Sequence, residues 1–175
     1  MKAKDNDVRE WIQAILITVV VSLFIRLFLF ETTLVIGHSM DFTLHDRDRV
    51  IINKLVYRLY SPERGDIVVF KNPDPKNRKE NFVKRVIGLP GDTVEIYDNK
   101  VYVNGELLDE PYINEPIMGD FEKVTVPDDT FFVMGDNRNN SMDSRSSSVG
   151  FIPKKDIIGK AQLRIWPLTY FTLFK

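Results

Sequence analysis

Between Trp11 and Phe30 the chain runs through twenty predominantly apolar residues with Arg26 as the only charge. As an α-helix, at about 1.5 Å per residue, such a run matches the ~30 Å hydrocarbon layer of a bilayer. A buried core helix would keep one polar face. Here Val19, Val20, Val21, Leu23, Phe24, Ile25 and the stretch from Leu27 to Phe30 leave no broad face for water. A narrow stripe of Thr18, Ser22 and Arg26, four residues apart, is compatible with tolerated hydroxyls and a snorkelling arginine, or with a facing helix. A cleaved secretory signal fits less well. The run is long for one, and the residues that follow read Val-Ile-Gly-His rather than Ala-x-Ala. The segment 11–30 is therefore read as a transmembrane anchor, with 1–10 on one side and 31–175 on the other. Lys2, Lys4 and Arg9 precede it, and no Lys or Arg occurs from Glu31 to Asp46. That asymmetry predicts a cytoplasmic N-terminus and an extracytoplasmic main domain at the cytoplasmic membrane.

At 175 residues the chain has room for one anchor and one domain. A net charge of -1 offers no electrostatic footprint for nucleic acid. The absence of cysteine excludes disulfides, thiolate metal sites and a cysteine nucleophile. With only His38 and His45 left as nitrogen ligands, a zinc site is not expected, and no cofactor is implied.

After the anchor the pattern turns β-rich. Thr32 to Ile36, Arg49 to Asn53, Asp66 to Phe70, Asn81 to Ile87, Phe131 to Met134 and Ile157 to Trp166 read as strands, with Gly159 a candidate bulge. Lys71 to Glu80 reads as a polar, proline-containing loop. Thr93 to Tyr97 and Lys100 to Val103 form a predicted hairpin through Asp98-Asn99, and Asn104-Gly105 marks another turn. This hairpin opens a small excursion over about 93–126, whose stretch from Leu107 to Phe121 is turn-rich. Short strands joined by turns indicate a mainly β, partly barrel-like antiparallel domain.

Three stretches could carry chemistry. Ser39 follows Gly37 directly after a strand. Taken alone it reads as a turn serine, because a hydroxyl becomes a nucleophile only beside a base. Lys84 sits in the strand Asn81–Ile87, where alternation puts Phe82, Lys84 and Val86 on one face and Val83, Arg85 and Ile87 on the other. Each face has a cation between two apolar side chains, and periodicity does not say which is buried. Only lysine can lose its proton. Its ordinary pKa is about 10.4, and lowering it by roughly three units needs ~4 kcal/mol of differential destabilisation, mainly by desolvation. Alone, Lys84 equally reads as an edge-strand lysine that discourages aggregation. The third stretch, Gly135-Asp136-Asn137-Arg138-Asn139-Asn140-Ser141-Met142-Asp143-Ser144-Arg145, is dense in short hydrogen-bonding side chains that can shape a loop. A Ser-His-Asp triad is disfavoured: His38 adjoins Ser39 and points away in extended chain, and His45 returns only if the chain folds back.

These stretches, in this order after one anchor, closely resemble bacterial type I signal peptidases, and the size resembles the short Gram-positive members. The resemblance runs through Gly37-x-Ser39-Met40-x-x-Thr43-Leu44, Gly65-Asp66-Ile-Val-Val-Phe70, Lys84-Arg85-Val-Ile-Gly-Leu-Pro-Gly-Asp92, and Gly135-Asp136-Asn137 through Ser141, Asp143, Ser144 and Arg145. It implies a fold of the type shared with LexA-like self-cleaving repressors. It implies a Ser–Lys dyad endopeptidase that removes signal peptides from exported preproteins bearing small residues at the first and third positions before the cut. Ser39 would be the nucleophile and Lys84 the base. Met40 belongs to the nucleophile motif, Ser141 would orient the Lys84 amine, Asp143 and Arg145 would pair, and Asp136 would support the loop. The Ser39 N–H would hold part of the oxyanion. Two positions depart from the family: Phe42 stands where proline is usual, and Gly37 stands where some members carry a serine oxyanion donor. A catalytically silent, membrane-tethered relative that binds preproteins is the alternative, with Phe42 as the only feature in its favour. Oligomeric state is not legible.

Overall fold

Helix α1 (Lys2–Phe24) continues through a π-helical turn, Ile25–Leu29, directly into strand β1 (Phe30–Leu34). This computed structural model describes residues 2–78 and 80–174, with side chains from Val8 onward outside those gaps. Met1, Lys79, Lys175 and the side chains of Lys2 and Lys4, on which the orientation argument partly rests, lie outside the described residues. The helix starts ahead of the apolar run, since a helix once nucleated extends through polar residues of adequate propensity. No residue of its apolar window, Val8–Leu29, is buried inside the rest of the chain. The junction with the β domain is clamped. The Lys54 N–H donates to the Leu29 carbonyl at 2.9 Å, and Lys54 Nζ donates to the Arg26 carbonyl at 3.0 Å. The Arg58 guanidinium lies 5.6 Å from the Phe28 ring centre.

The remaining elements are β2 (Arg49–Asn53), a one-turn helix α2 (Val56–Leu59), β3 (Ile67–Lys71), β4 (Asn81–Gly88), β5 (Thr93–Tyr97), β6 (Lys100–Val103), β7 (Glu106–Leu107), β8 (Phe121–Thr125), β9 (Thr130–Met134), β10 (Ile152–Pro153), β11 (Ile157–Trp166) and β12 (Thr172–Leu173). Eight of these strands form one antiparallel sheet in the order β1-β2-β11-β3-β4-β9-β10, with β12 beside β11. The other four form a second sheet, β7-β6-β5-β8. Among the described residues the larger sheet is an open path from β1 to β10 rather than a closed barrel. Asp98 and Asn99 take φ values of +50° and +58°, the left-handed pair that a two-residue hairpin between β5 and β6 requires.

Strand β1 begins two residues before its predicted start. Its register against β2 runs from Phe30 opposite Asn53 to Leu34 opposite Arg49, so pairing stops before Ile36. Strand β8, the two-residue strands and α2 are invisible to periodicity because each is too short or too polar to repeat a pattern. Gly159 lies at a register shift between β11 and β3. A Cβ there would collide with the Asn53 carbonyl and the Ile52 side chain, so only glycine permits the approach of β2.

Three apolar clusters hold the domain. One joins the small sheet to β9 through Val94, Ile96, Val101, Phe132 and Met134. A second packs Met40, Leu44, Val50, Ile52 and Val69 beneath the chain that follows β1. The third packs Val68, Phe70, Val86 and Phe131. Strand β9 pairs with β4 only from Arg85 onward. The preceding residues of β4, 81–84, therefore keep an open edge on that side, and Gly135 begins where β9 ends.

Candidate active site

Ser39 lies in the turns that follow β1, and Met40 beside it is 1% exposed in the second cluster. A buried Met40 roots the turn, so the neighbouring serine points out of the core. Further ties hold this stretch. The Gly37 N–H donates to Asp46 Oδ1 at 2.9 Å, the Asn137 N–H donates to the Ser39 carbonyl at 3.1 Å, and Asn137 Nδ2 donates to the His38 carbonyl at 3.0 Å.

Lys84 Nζ donates to Ser39 Oγ at 2.6 Å and to the Val83 carbonyl at 3.1 Å. The residue is only 4% exposed. No carboxylate among the described residues forms an ion pair with it. Burial pulls its pKa down to about 8, against the opposing pull of Asp143 and Asp136. At that value an appreciable fraction of the amine is neutral near physiological pH, as a general base requires.

The neighbouring cation is treated differently. Arg85 is 8% exposed, and its guanidinium donates to both oxygens of Asp136, Nε to Oδ1 at 2.8 Å and Nη2 to Oδ2 at 2.7 Å. It also donates to the Gly65 carbonyl at 2.7 Å. Thr43 Oγ1 donates to Asp136 Oδ2. Asp136 thus joins the turn that follows Ser39 to the strand that carries Lys84.

The stretch 135–145 closes the site. Arg145 pairs with Asp143 through two bonds of 2.8 Å, and the Gly135 N–H donates to Asp143 Oδ2 at 3.0 Å. Ser144 continues the hydrogen bonding of β9, accepting from the Val133 N–H at 2.9 Å. Ser141 departs from expectation. Its Oγ is buried and has no hydrogen-bond partner among the described residues, so it makes no hydrogen bond to the Lys84 amine. Ser141 sits directly against Gly135. A Cβ at position 135 would collide with both the Ser141 side chain and the Ser39 carbonyl. Lys84 instead spends its hydrogen bonds on Ser39 and Val83.

Neither histidine touches Ser39. His38 Nδ1 lies 3.0 Å from Asp41 Oδ2, and His45 Nδ1 lies 3.9 Å from Asp48 Oδ2; both rings are more than half exposed. No group of three or more potential metal ligands occurs among the described residues. Phe42 adopts φ +84°. Proline, locked near −65°, cannot take that conformation, so the turn here follows a path that the proline usual in the resembled family could not follow.

Ser39 and Lys84 line a groove of about 560 Å³. Thr33 to Ser39 form one wall, and Glu80 to Lys84 form the other with Met142 at the rim. The first wall runs from the end of β1 into the turns that carry Ser39, and the second is the open edge of β4.

A family model described as signal peptidase, peptidase S26, matches residues 8–166. A signal peptidase I from Bacillus licheniformis is 45% identical over 174 residues, covering 94% of this chain and 91% of the relative. The chain belongs to the signal peptidase family. Signal peptidase I S of Bacillus subtilis (strain 168) is 43% identical over 176 residues, covering 94% of this chain and 92% of the relative. The crystal structure of a signal peptidase I from Enterococcus faecalis V583 is similar with a TM-score of 0.51 at 37% identity, covering 58% of this chain and 97% of that one. Membership makes this chain a membrane signal peptidase of the serine class, a hydrolase whose substrates are preproteins.

Within this signal peptidase, sequence patterns did not single out Glu110 or Tyr112, and they named Asp136 without its pairing to Arg85. Arg138, with a fully buried side chain, pairs with Glu110, whose side chain is 7% exposed. The Tyr112 ring centre lies 3.9 Å from the Arg85 guanidinium. The stretch Gly135–Arg145 carries two Arg and two Asp, so its charge balances and gives no local sign that Arg138 pairs with Glu110.

Proposed function

We propose that this signal peptidase cuts preproteins with a Ser39–Lys84 dyad. The neutral Lys84 amine takes the Ser39 hydroxyl proton as Oγ attacks the scissile carbonyl. Collapse of the tetrahedral intermediate releases the mature protein, whose new amino group takes the proton from Lys84. Water, deprotonated by the same amine, then hydrolyses the acyl-enzyme and frees the signal peptide with Ser39 restored. The observation that carries this reading is the 2.6 Å contact between Oγ and an amine buried without a counter-ion. Burial supplies the base, and the turn fixed by Asn137 supplies the aim.

The Ser39 N–H is one donor to the oxyanion; a preorganised donor of this kind is worth about 3 kcal/mol. Asp143, Arg145 and Asp136 hold the loop against Ser39, and Ser141 packs against Gly135. The preprotein enters as an extended strand between residues 33–36 and the open edge of β4, where backbone pairing supplies affinity. Small residues at the first and third positions before the cut suit a groove floored by the dyad. The helix is the single-pass anchor. Its N-terminus lies in the cytoplasm, the β domain outside, and the clamp at Lys54 keeps the site close to the lipid.

The test is cleavage of a synthetic preprotein by the detergent-solubilised full chain. Ser39→Ala and Lys84→Ala each abolish cleavage, whereas His45→Ala leaves it intact. A Lys84→Ala protein that still cuts, beside a dead His45→Ala protein, would overturn the assignment. Should all three bind preprotein and the unaltered chain never cut it, the tethered binding module would be the better reading.

A further inference from the structure

The irregular chain between β7 and β8 makes polar contacts that converge on the loop beside Ser39. Glu110 accepts from both Nη atoms of Arg138, the Nη1 bond being 2.8 Å. Both side chains are almost wholly buried, so the attraction is screened little by water. Arg138 Nε in turn donates to the Gly135 carbonyl at 3.1 Å, and its own carbonyl accepts from Arg145 Nη2 at 2.7 Å. Tyr112 hydroxyl donates to Glu110 Oε1 at 3.0 Å. Its ring is shared by two guanidiniums, 3.9 Å from Arg85 and 5.9 Å from Arg138. Burial and then the Glu110 carboxylate push the Tyr112 phenol well above its ordinary range, so it remains a donor. A second staple lies beside it: the Met118 N–H donates to Asn139 Oδ1 at 2.8 Å, and Asn139 Nδ2 donates to the Pro116 carbonyl at 3.0 Å.

Each contact ends one or two residues from a group that touches the dyad. Asn137, beside Arg138, holds the His38 and Ser39 carbonyls. Asp136 holds Thr43 and Arg85, and Arg85 adjoins Lys84. We propose that the strap Glu110-Pro111-Tyr112 is a positioning element that fixes the Gly135–Arg145 loop, and through it sets Ser39 opposite Lys84. This rests on the Ser39–Lys84 reading above. The strap touches neither the groove nor the reacting atoms, so its loss misaligns the dyad without emptying the substrate site.

The experiment measures kcat and KM for a synthetic preprotein, at matched temperatures below each variant's Tm, for full-length Glu110→Gln, Tyr112→Leu and Tyr112→Phe. Lys160→Gln, which breaks the Lys160–Asp66 pair away from the loop, is the stability control. Misplacement on the order of 1 Å costs up to ~100-fold, so kcat is expected to fall about 30-fold in Glu110→Gln and about 10-fold in Tyr112→Leu, with KM nearly constant. Tyr112→Phe keeps the ring between the guanidiniums and retains most of kcat. The control lowers Tm and leaves kcat alone. Unchanged kcat in both Glu110→Gln and Tyr112→Leu despite a lowered Tm, or a rise in KM alone, would overturn the proposal. Cleavage persisting in Ser39→Ala or Lys84→Ala would instead sink the dyad reading itself.

Discussion

The two faces of strand β4 bury adjacent cations in opposite ways. Lys84 and Arg85 are 4% and 8% exposed. Arg85 meets a two-pronged carboxylate in Asp136, a carbonyl in Gly65 and the ring of Tyr112. Lys84 meets one hydroxyl, one carbonyl and, at 5.3 Å, the Phe82 ring. Paired burial makes a brace, because the charge is satisfied and its geometry fixed. Unpaired burial favours the neutral amine, because the charge is the costly form. On the proposed reading the choice of residue follows: the brace must never lose its proton, and the base must be able to.

Replacing Lys84 by Met should reverse two quantities at once. Cleavage is expected to drop by at least about 10⁴-fold, measured on synthetic preprotein. Stability is expected to rise by something on the order of 2–3 kcal/mol at neutral pH, measured by denaturant unfolding, since the aliphatic stem is kept and the penalised charge removed. The sign follows from linkage. The folded pKa of about 8 lies below the unfolded value near 10.4, so the penalty is full below about 8 and vanishes above the unfolded pKa. The unaltered protein should therefore gain stability between those values, and Lys84→Met should lack that gain. A Met variant less stable than its parent would show that the ammonium is satisfied after all.

On the other face, Arg85→Met should cost about 3–5 kcal/mol, because it strands Asp136 in the interior. Equal and opposite responses at two neighbouring positions would sharpen the contrast; destabilisation of similar size at both would break it. The smallest effect concerns Phe42. Its φ of +84° is unfavourable for any residue with a Cβ, and Phe42→Gly should raise stability by about 1 kcal/mol. A fall in Tm on that substitution would mean that the half-exposed ring contributes more than its backbone costs.

Much of this architecture is legible along the chain. The strands at 49–53, 93–97, 100–103 and 157–166 follow their period-two patterns, and the apolar run announces the helix. The core is legible on β2, where alternation places Val50 and Ile52 inside, whereas β3 is buried on both faces from Ile67 to Phe70. What periodicity cannot supply is pairing across distance. Arg85 and Asp136 are 51 positions apart, and Glu110 and Arg138 are 28 apart. Nothing local to Glu110 distinguishes it from a surface carboxylate in a turn-rich stretch. Ser141 shows the limit of motif reasoning in the other direction. Its position in the loop is clear, but the motif does not reveal that its buried Oγ lacks a hydrogen-bond partner among the described residues.

The most direct measurement is the titration of the Lys84 amine itself, followed by NMR of a side-chain-labelled lysine in the detergent-solubilised full chain, with Ser39→Ala as a second sample. A midpoint near 8, shared by the ascending limb of kcat against pH, is the result this account requires. A midpoint at the ordinary value of about 10.4, with activity flat from acid to alkaline conditions, would contradict it.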